Sequence, residues 1–169
     1  MSELFQSEAY RPQVDLGTPT PAVTGAMVSL QINGETVKVP EGSSVLRAAS
    51  IAGVSVPRLC ATDALDAFGS CRMCLVEIEG RRGYQASCTT EVEEGMVVST
   101  ETDKLGSLRR NVLELYLSDH PEDCAETHDG TECEIHYLAD QLNVTETRYG
   151  RDGQNHLDSE ADESNPYFT

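Results

Sequence analysis

Regular patterning along the chain begins at Met27. Val28, Leu30 and Ile32 alternate with polar residues, Asn33-Gly34 interrupts, and Val37 and Val39 resume the alternation. A period of two on either side of Asn-Gly predicts a β-hairpin, because both turn residues tolerate the positive φ of a type I′ turn. Glu41-Gly42-Ser43-Ser44 then leads into an alanine-rich stretch over 45–52, closed by Gly53. A serine N-cap and a glycine just past the end predict a short helix. Further strands are predicted at 75–79 and 96–100, with turns at 81–83 and 93–95. From Leu105 the period changes: Leu105, Leu108, Val112, Leu115 and Tyr116 recur at three- and four-residue spacing, and a second helix is predicted over 133–142. A hairpin, one helix crossing it and later strands predict a small α+β fold with the helix on one face of the sheet.

Outside these segments the pattern fades. Residues 1–26 hold Pro12, Gly17, Pro19, Pro21 and Gly25 among polar residues, and are expected to form a flexible or partner-wrapping arm. Residues 150–169 are acidic and polar, a tail or linker with little to bury. The patterned remainder divides into a domain at 27–100 and a helical segment at 101–149. Twelve basic residues against twenty-nine acidic ones leave a formal charge of −17. Such a surface repels phosphate backbones and anionic membranes, so no nucleic-acid partner is expected. It suits a basic partner, or adaptation to a salty cytoplasm. The first residues lack a basic region followed by an apolar core, and no apolar run is long enough to span a bilayer. A cytoplasmic protein is expected, in which six cysteines serve as metal ligands rather than as disulfides.

Four of the six, Cys60, Cys71, Cys74 and Cys88, are spaced C-x10-C-x2-C-x13-C. A [2Fe–2S] cluster needs four thiolates, two on each iron, and backbone N–H groups pointing at its sulfurs. Gly69 and Ser70 let the backbone approach that closely. The spacing does not say which cysteines share an iron. Zinc on four cysteines is the alternative, although zinc sites usually present two short C-x2–4-C knuckles and only one occurs here. Inert buried thiols are the remaining one.

The residues around these cysteines carry a resemblance. Pro57-Arg58-Leu59-Cys60, Gly69-Ser70-Cys71-Arg72-Met73-Cys74-Leu75-Val76-Glu77, Ser87-Cys88-Thr89-Thr90 and Glu94-Gly95-Met96-Val97-Val98 resemble the N-terminal ferredoxin domain of one group. The group comprises the large iron–sulfur subunit of respiratory complex I, NAD-linked hydrogenase subunits, and the alpha subunit of NAD-dependent formate dehydrogenases. The resemblance covers about residues 27–100. It implies the β-grasp fold of [2Fe–2S] ferredoxins, with Cys60, Cys71, Cys74 and Cys88 as ligands. It also implies a following [4Fe–4S] cluster on H-x3-C-x2-C-x5-C. His120, Cys124 and Cys133 match the first, second and fourth positions, but the third is Thr127, a hard hydroxyl ill suited to replace a thiolate. Three readings stay open: the cluster is lost and the segment is a helical support; a cluster persists on three ligands, as a three-iron species or with His128 or Asp129 as fourth; or zinc or another metal occupies a His/Cys site. His120 could also simply interact with the preceding helix C-terminus. His128 and His136 match no ligand position and are expected at the surface.

Arg148-Tyr149-Gly150 and the tail from Asp162 to Thr169 resemble the formate dehydrogenase alpha subunit in particular. No nucleophile–base arrangement, glycine-rich phosphate loop or G-x-G-x-x-G fingerprint occurs, so no catalytic site of the chain's own is expected. The expected function is single-electron relay in an NAD-linked oxidoreductase complex, beside a flavin- and NAD-binding subunit and a catalytic subunit, molybdopterin-dependent in the formate dehydrogenase case. A diffusible ferredoxin and a zinc-binding interaction module are the other classes.

Overall fold

A computed structural model describes residues 15–22, 25–121, 124 and 133–149. The chain divides into two compact units, Met1–Thr100 and Glu101–Thr169. The first is built on a five-stranded mixed sheet. Strand β1 (Met27–Ile32) pairs antiparallel with β2 (Glu35–Pro40) across Asn33-Gly34, whose φ values of 51° and 87° are those of the predicted turn. The register sets Leu30 opposite Val37 and Val28 opposite Val39. Leu30, Ile32, Val37 and Val39 therefore point to one face and are buried.

Helix α1 (Val45–Ile51) covers that face. Its N-cap Ser44 accepts the Arg47 amide at 3.0 Å, and Val45, Leu46, Ala48 and Ala49 enter the core. Gly53, at φ 75°, ends the helix as the sequence predicts. The chain then passes through the long loop containing three of the four spaced cysteines to β3 (Leu75–Ile78), β4 (Gln85–Ala86) and β5 (Val97–Ser99). The sheet order is β2-β1-β5-β3-β4, with β5 parallel to β1 and antiparallel to β3. Strand β4 escapes a reading by period because two residues cannot show one. Each fully buried aliphatic side chain contributes roughly 1.5–3 kcal/mol. The core therefore anchors both ends of the cysteine loop: Val56 before it, Val76 and Ile78 after it.

The segment expected to be a flexible arm is seated from Asp15 to Ala22. Thr18 is buried, and its hydroxyl shares a 2.7 Å hydrogen bond with that of Ser44. Arg47 reaches out of α1 to donate to the Thr18 carbonyl at 2.6 Å and to the Thr20 hydroxyl at 2.9 Å. Asp15 accepts from the amides of Gly17 and Asp63 and from the Thr62 hydroxyl. Apart from Gly17, these partners lie 26 to 48 residues away, so local composition carries no trace of them. Residues 1–14 and the tail from 150 lie outside the described residues.

In the second unit, α2 (Asp103–Ser118) begins at Thr102, whose hydroxyl accepts the Leu105 amide. Its buried line is Leu105, Arg109, Leu113 and Leu117, with Leu108, Val112 and Tyr116 half-buried beside it and Leu115 exposed. The observed stripe is rotated from the expected one, and a charged residue, the buried Arg109, takes a place in it. Helix α3 (Glu134–Leu142) packs on α2 through Leu138 and Ala139, and Asn143 ends it in the left-handed region at φ 53°. Arg148 ties the following chain back to α2, donating to Glu114 and Asn111 at 2.6 Å each. Among the described residues no helix is long and apolar enough to cross a membrane.

Candidate metal centres

None of the six cysteines is in a disulfide. Cys60, Cys71, Cys74 and Cys88 meet at one end of the first unit. Cys71, Cys74 and Cys88 are buried and Cys60 is half-buried. The fold supplies them from separate places: Cys60 and Cys71 from the loop, Cys74 just before β3, Cys88 just after β4. The β3–β4 pairing sets Leu75 against Ala86 and brings the last two together. Ser87 locks the pair, its amide and hydroxyl donating to the Cys74 carbonyl at 3.0 and 2.8 Å.

The thiols associate in two pairs, Cys60 with Cys71 and Cys74 with Cys88. Burial alone would raise Cys60, but the amides of Cys71 and Ser70 and the Ser70 hydroxyl donate to its sulfur and hold it below its usual value. Burial pushes the Cys71 thiol up, outweighing the amides of Met73 and Leu59. The Cys88 thiol, working against burial and helped by the Cys88 amide and the Ser87 hydroxyl, pulls Cys74 down to about 6. Cys88 is pushed up, as donor to Cys74, by burial, and by the neighbouring sulfurs. Four sulfurs in two pairs, lined by N–H groups aimed at them, fit the donor set of a [2Fe–2S] cluster.

Two features of this cradle are not obvious from spacing. Arg72, between Cys71 and Cys74, has φ 56°, a left-handed turn that is uncommon for a side chain of its size. Gly69 has φ 71°, and a Cβ there would stand 3.3 Å from the Thr89 methyl. Its glycine is therefore required by conformation as well as space. Charge near the cradle is close to balanced: residues 60–90 hold Asp63, Asp66, Glu77 and Glu79 against Arg72, Arg81 and Arg82. The acidity of the chain lies mostly elsewhere.

The second unit gathers another group. Ligand atoms of His120, Cys124, Cys133 and His136 all lie within 4.8 Å of one another. His120 follows the end of α2, its amide donating to the Leu117 carbonyl. Cys124 is buried. Cys133 is the N-cap of α3, makes no side-chain capping bond, and sets its sulfur 3.4 Å from His120 Nε2. His136, expected at the surface without a role, is half-buried, its ring edge-on to that of His120 at 4.8 Å between centroids. The correction has a simple cause. Cys133 and His136 are three apart at the start of a helix, so they share a face, and that spacing on a predicted helix was the available signal. Thr127, His128 and Asp129 lie outside the described residues.

Comparison with known proteins agrees with this division. Residues 25–103 match the 2Fe-2S iron–sulfur cluster binding domain, and residues 109–148 match the NADH-ubiquinone oxidoreductase-G iron–sulfur binding region. The chain is 42% identical over 129 residues to the NADP-reducing hydrogenase subunit HndD of Solidesulfovibrio fructosivorans, an alignment covering 73% of this chain and 22% of that one. It is 39% identical to the mitochondrial 78 kDa subunit of NADH-ubiquinone oxidoreductase from Candida albicans, over 75% of this chain and 17% of the relative. The alpha subunit of an NADPH-Fe(3+) oxidoreductase from Geobacter sulfurreducens is 36% identical, over 73% and 15%. The chain thus spans about a fifth of the length of these relatives. Among solved structures, an NAD+-reducing [NiFe]-hydrogenase in the H2-reduced state superposes with a TM-score of 0.70 at 28% identity, over 77% of this chain and 55% of that one.

Proposed function

Since the chain belongs to the 2Fe-2S iron–sulfur domain family over residues 25–103 and to the oxidoreductase-G iron–sulfur family over 109–148, we propose that it relays single electrons inside an NAD-linked oxidoreductase complex, with Cys60, Cys71, Cys74 and Cys88 as ligands of one [2Fe–2S] cluster. The observation that carries this is the two-paired convergence of thiols with backbone amides aimed at their sulfurs. When bound, the cluster supplies a one-electron redox couple. The chain's own residues do the rest. Ser70, Cys71 and Met73 amides, and Ser87, stabilise thiolate charge at fixed positions; Gly69 and Arg72 turn the loop around it; and the α1 and β3 core keeps that loop from relaxing on a change of charge.

Two exposed apolar side chains, Leu65 and Phe68, stand in the loop between Cys60 and Cys71, with 67% and 73% of their surface open to solvent. Apolar exposure beside a redox site supports a complex subunit over a freely diffusing ferredoxin. The relatives act with NAD, NADP or their reduced forms by name, which supports a flavin- and NAD-binding partner subunit here. The finer reading, a formate dehydrogenase with a molybdopterin-dependent catalytic partner, rests on Arg148-Tyr149-Gly150 and the tail alone; Arg148 has a structural task on α2 that accounts for it without such a partner.

The test is anaerobic purification of the full chain, with iron, acid-labile sulfide and EPR after reduction. About two irons and two sulfides and a single [2Fe–2S] signal tied to those four cysteines are expected. A colourless protein without iron would overturn the assignment. Pull-down of the native protein separates the two redox classes: a co-purifying flavoprotein supports the complex, a lone monomer the free ferredoxin.

A further inference from the structure

We propose that His136 completes a His2Cys2 site with His120, Cys124 and Cys133, and that this site holds one tetrahedral zinc ion instead of a [4Fe–4S] cluster. The reasoning begins with the donor count. The third thiolate of H-x3-C-x2-C-x5-C is a threonine at 127, leaving two sulfurs. The structure adds a nitrogen that the pattern does not contain, since α3 turns His136 back toward Cys133 and His120.

Geometry then selects the occupant. A cubane carries each ligand on a different iron, so its four donors stand well apart around a large inorganic body. A single ion draws all four to one point. With Zn–S near 2.3 Å and Zn–N near 2.0–2.1 Å, tetrahedral angles put neighbouring donors about 3.3–3.8 Å apart. The observed Cys133 Sγ to His120 Nε2 distance is 3.4 Å, and no pair in the group exceeds 4.8 Å. The group needs only a small contraction to close on one ion, but would have to open to admit four irons and four sulfides. Donor chemistry agrees: two imidazoles and two thiolates are a zinc set. Cys124 is buried, and Cys133, which makes no side-chain cap bond, sets its sulfur against His120 instead. Zinc has no redox couple at this site. It would clip the end of α2 to the start of α3, and electrons in this chain would rest on the [2Fe–2S] cluster alone.

Metal analysis of the full chain, expressed with both iron and zinc supplied, tests this. About one zinc beside about two irons and two sulfides is expected, with zinc-edge X-ray absorption showing two sulfurs near 2.3 Å and two lighter donors near 2.0 Å. His136→Ala should weaken zinc binding more than about 100-fold while leaving iron and sulfide unchanged. About six irons per chain, a zinc shell without two nitrogens, or zinc retained undiminished in His136→Ala would each overturn the proposal. Because the absorption spectrum is read on the unaltered chain, a variant that failed to fold would not remove the test. Nor does failure here touch the [2Fe–2S] reading, which is decided by the first two irons.

Discussion

The two metal-binding regions use the same residue types and hold them differently. Around Cys60, Cys71, Cys74 and Cys88 the sulfurs fall into two pairs, and backbone amides and the Ser70 hydroxyl meet them, so the scaffold addresses the metal group's own charge. Around His120, Cys124, Cys133 and His136 two thiols and two imidazoles crowd together, sulfur to imidazole and ring edge to ring face, with every ligand atom within 4.8 Å of the others. The first region sits on a loop that a buried helix precedes and a sheet strand follows; the second joins a helix end to a helix start. What a cluster of cysteines and histidines can bind therefore depends on how its donors are spaced: in two pairs for a two-iron cluster, or in one tight group for a single ion.

The largest effect should come from breaking one region and watching the other. Cys74→Ser removes a buried ligand from a redox cradle, and iron and sulfide should fall below about a tenth of the unaltered chain. Cys133→Ser should leave the [2Fe–2S] absorption and reduction potential unchanged and abolish only zinc. Bleaching of the visible spectrum in Cys133→Ser would show that the two regions are not independent.

The next largest effect tests what holds the first region in shape. Arg47→Ala takes a buried guanidinium from the Thr18 carbonyl and the Thr20 hydroxyl, and should cost about 2–3 kcal/mol, since a buried acceptor is left without its charged donor. It should bleach at a clearly lower urea concentration, with proteolysis opening first at residues 15–22. A smaller loss is expected from Gly69→Ala, where a positive φ and a 3.3 Å contact with Thr89 together should cost about 1 kcal/mol and speed loss of colour in urea roughly fivefold. If Gly69→Ala bleached no faster, the turn would owe nothing to its glycine.

Legibility in the sequence followed the range of the interactions. The hairpin was readable because Asn33-Gly34 carries its own turn, and α1 because Ser44 and Gly53 mark its ends within the chain's nearest neighbours. The α+β class followed from those elements. The four-cysteine spacing pointed to the first centre, but the pairing of Cys74 with Cys88 is made by a two-residue strand too short to announce itself. His136 escapes for a different reason: H-x3-C-x2-C-x5-C puts its open position at Thr127, whereas the added imidazole lies on the helical face three residues after Cys133. The seating of residues 15–22 was beyond sequence reading, since the partners that hold it are far along the chain and the composition is that of a linker.

The smallest effect bears on that last contrast, between a seated segment and a free arm. Burial works to raise the Asp15 carboxyl, but the Thr62 hydroxyl, the Gly17 amide and the Arg58 guanidinium at 3.3 Å outweigh it and hold it below the usual carboxylate value. A depressed carboxylate adds stability that is fully present above its unfolded value near 3.9 and is lost as pH falls through the folded one. Cluster sulfide is itself acid-labile in that window, so a neutral-pH probe is needed. Asp15 is 43% exposed, and solvent screening limits its contribution to no more than about 0.5 kcal/mol. Asp15→Asn should therefore speed amide exchange across 15–22 by about twofold at pH 7 and low salt, while added salt narrows the difference. An unchanged exchange rate would mean that Arg47 and Thr18 hold the segment without help from its first residue.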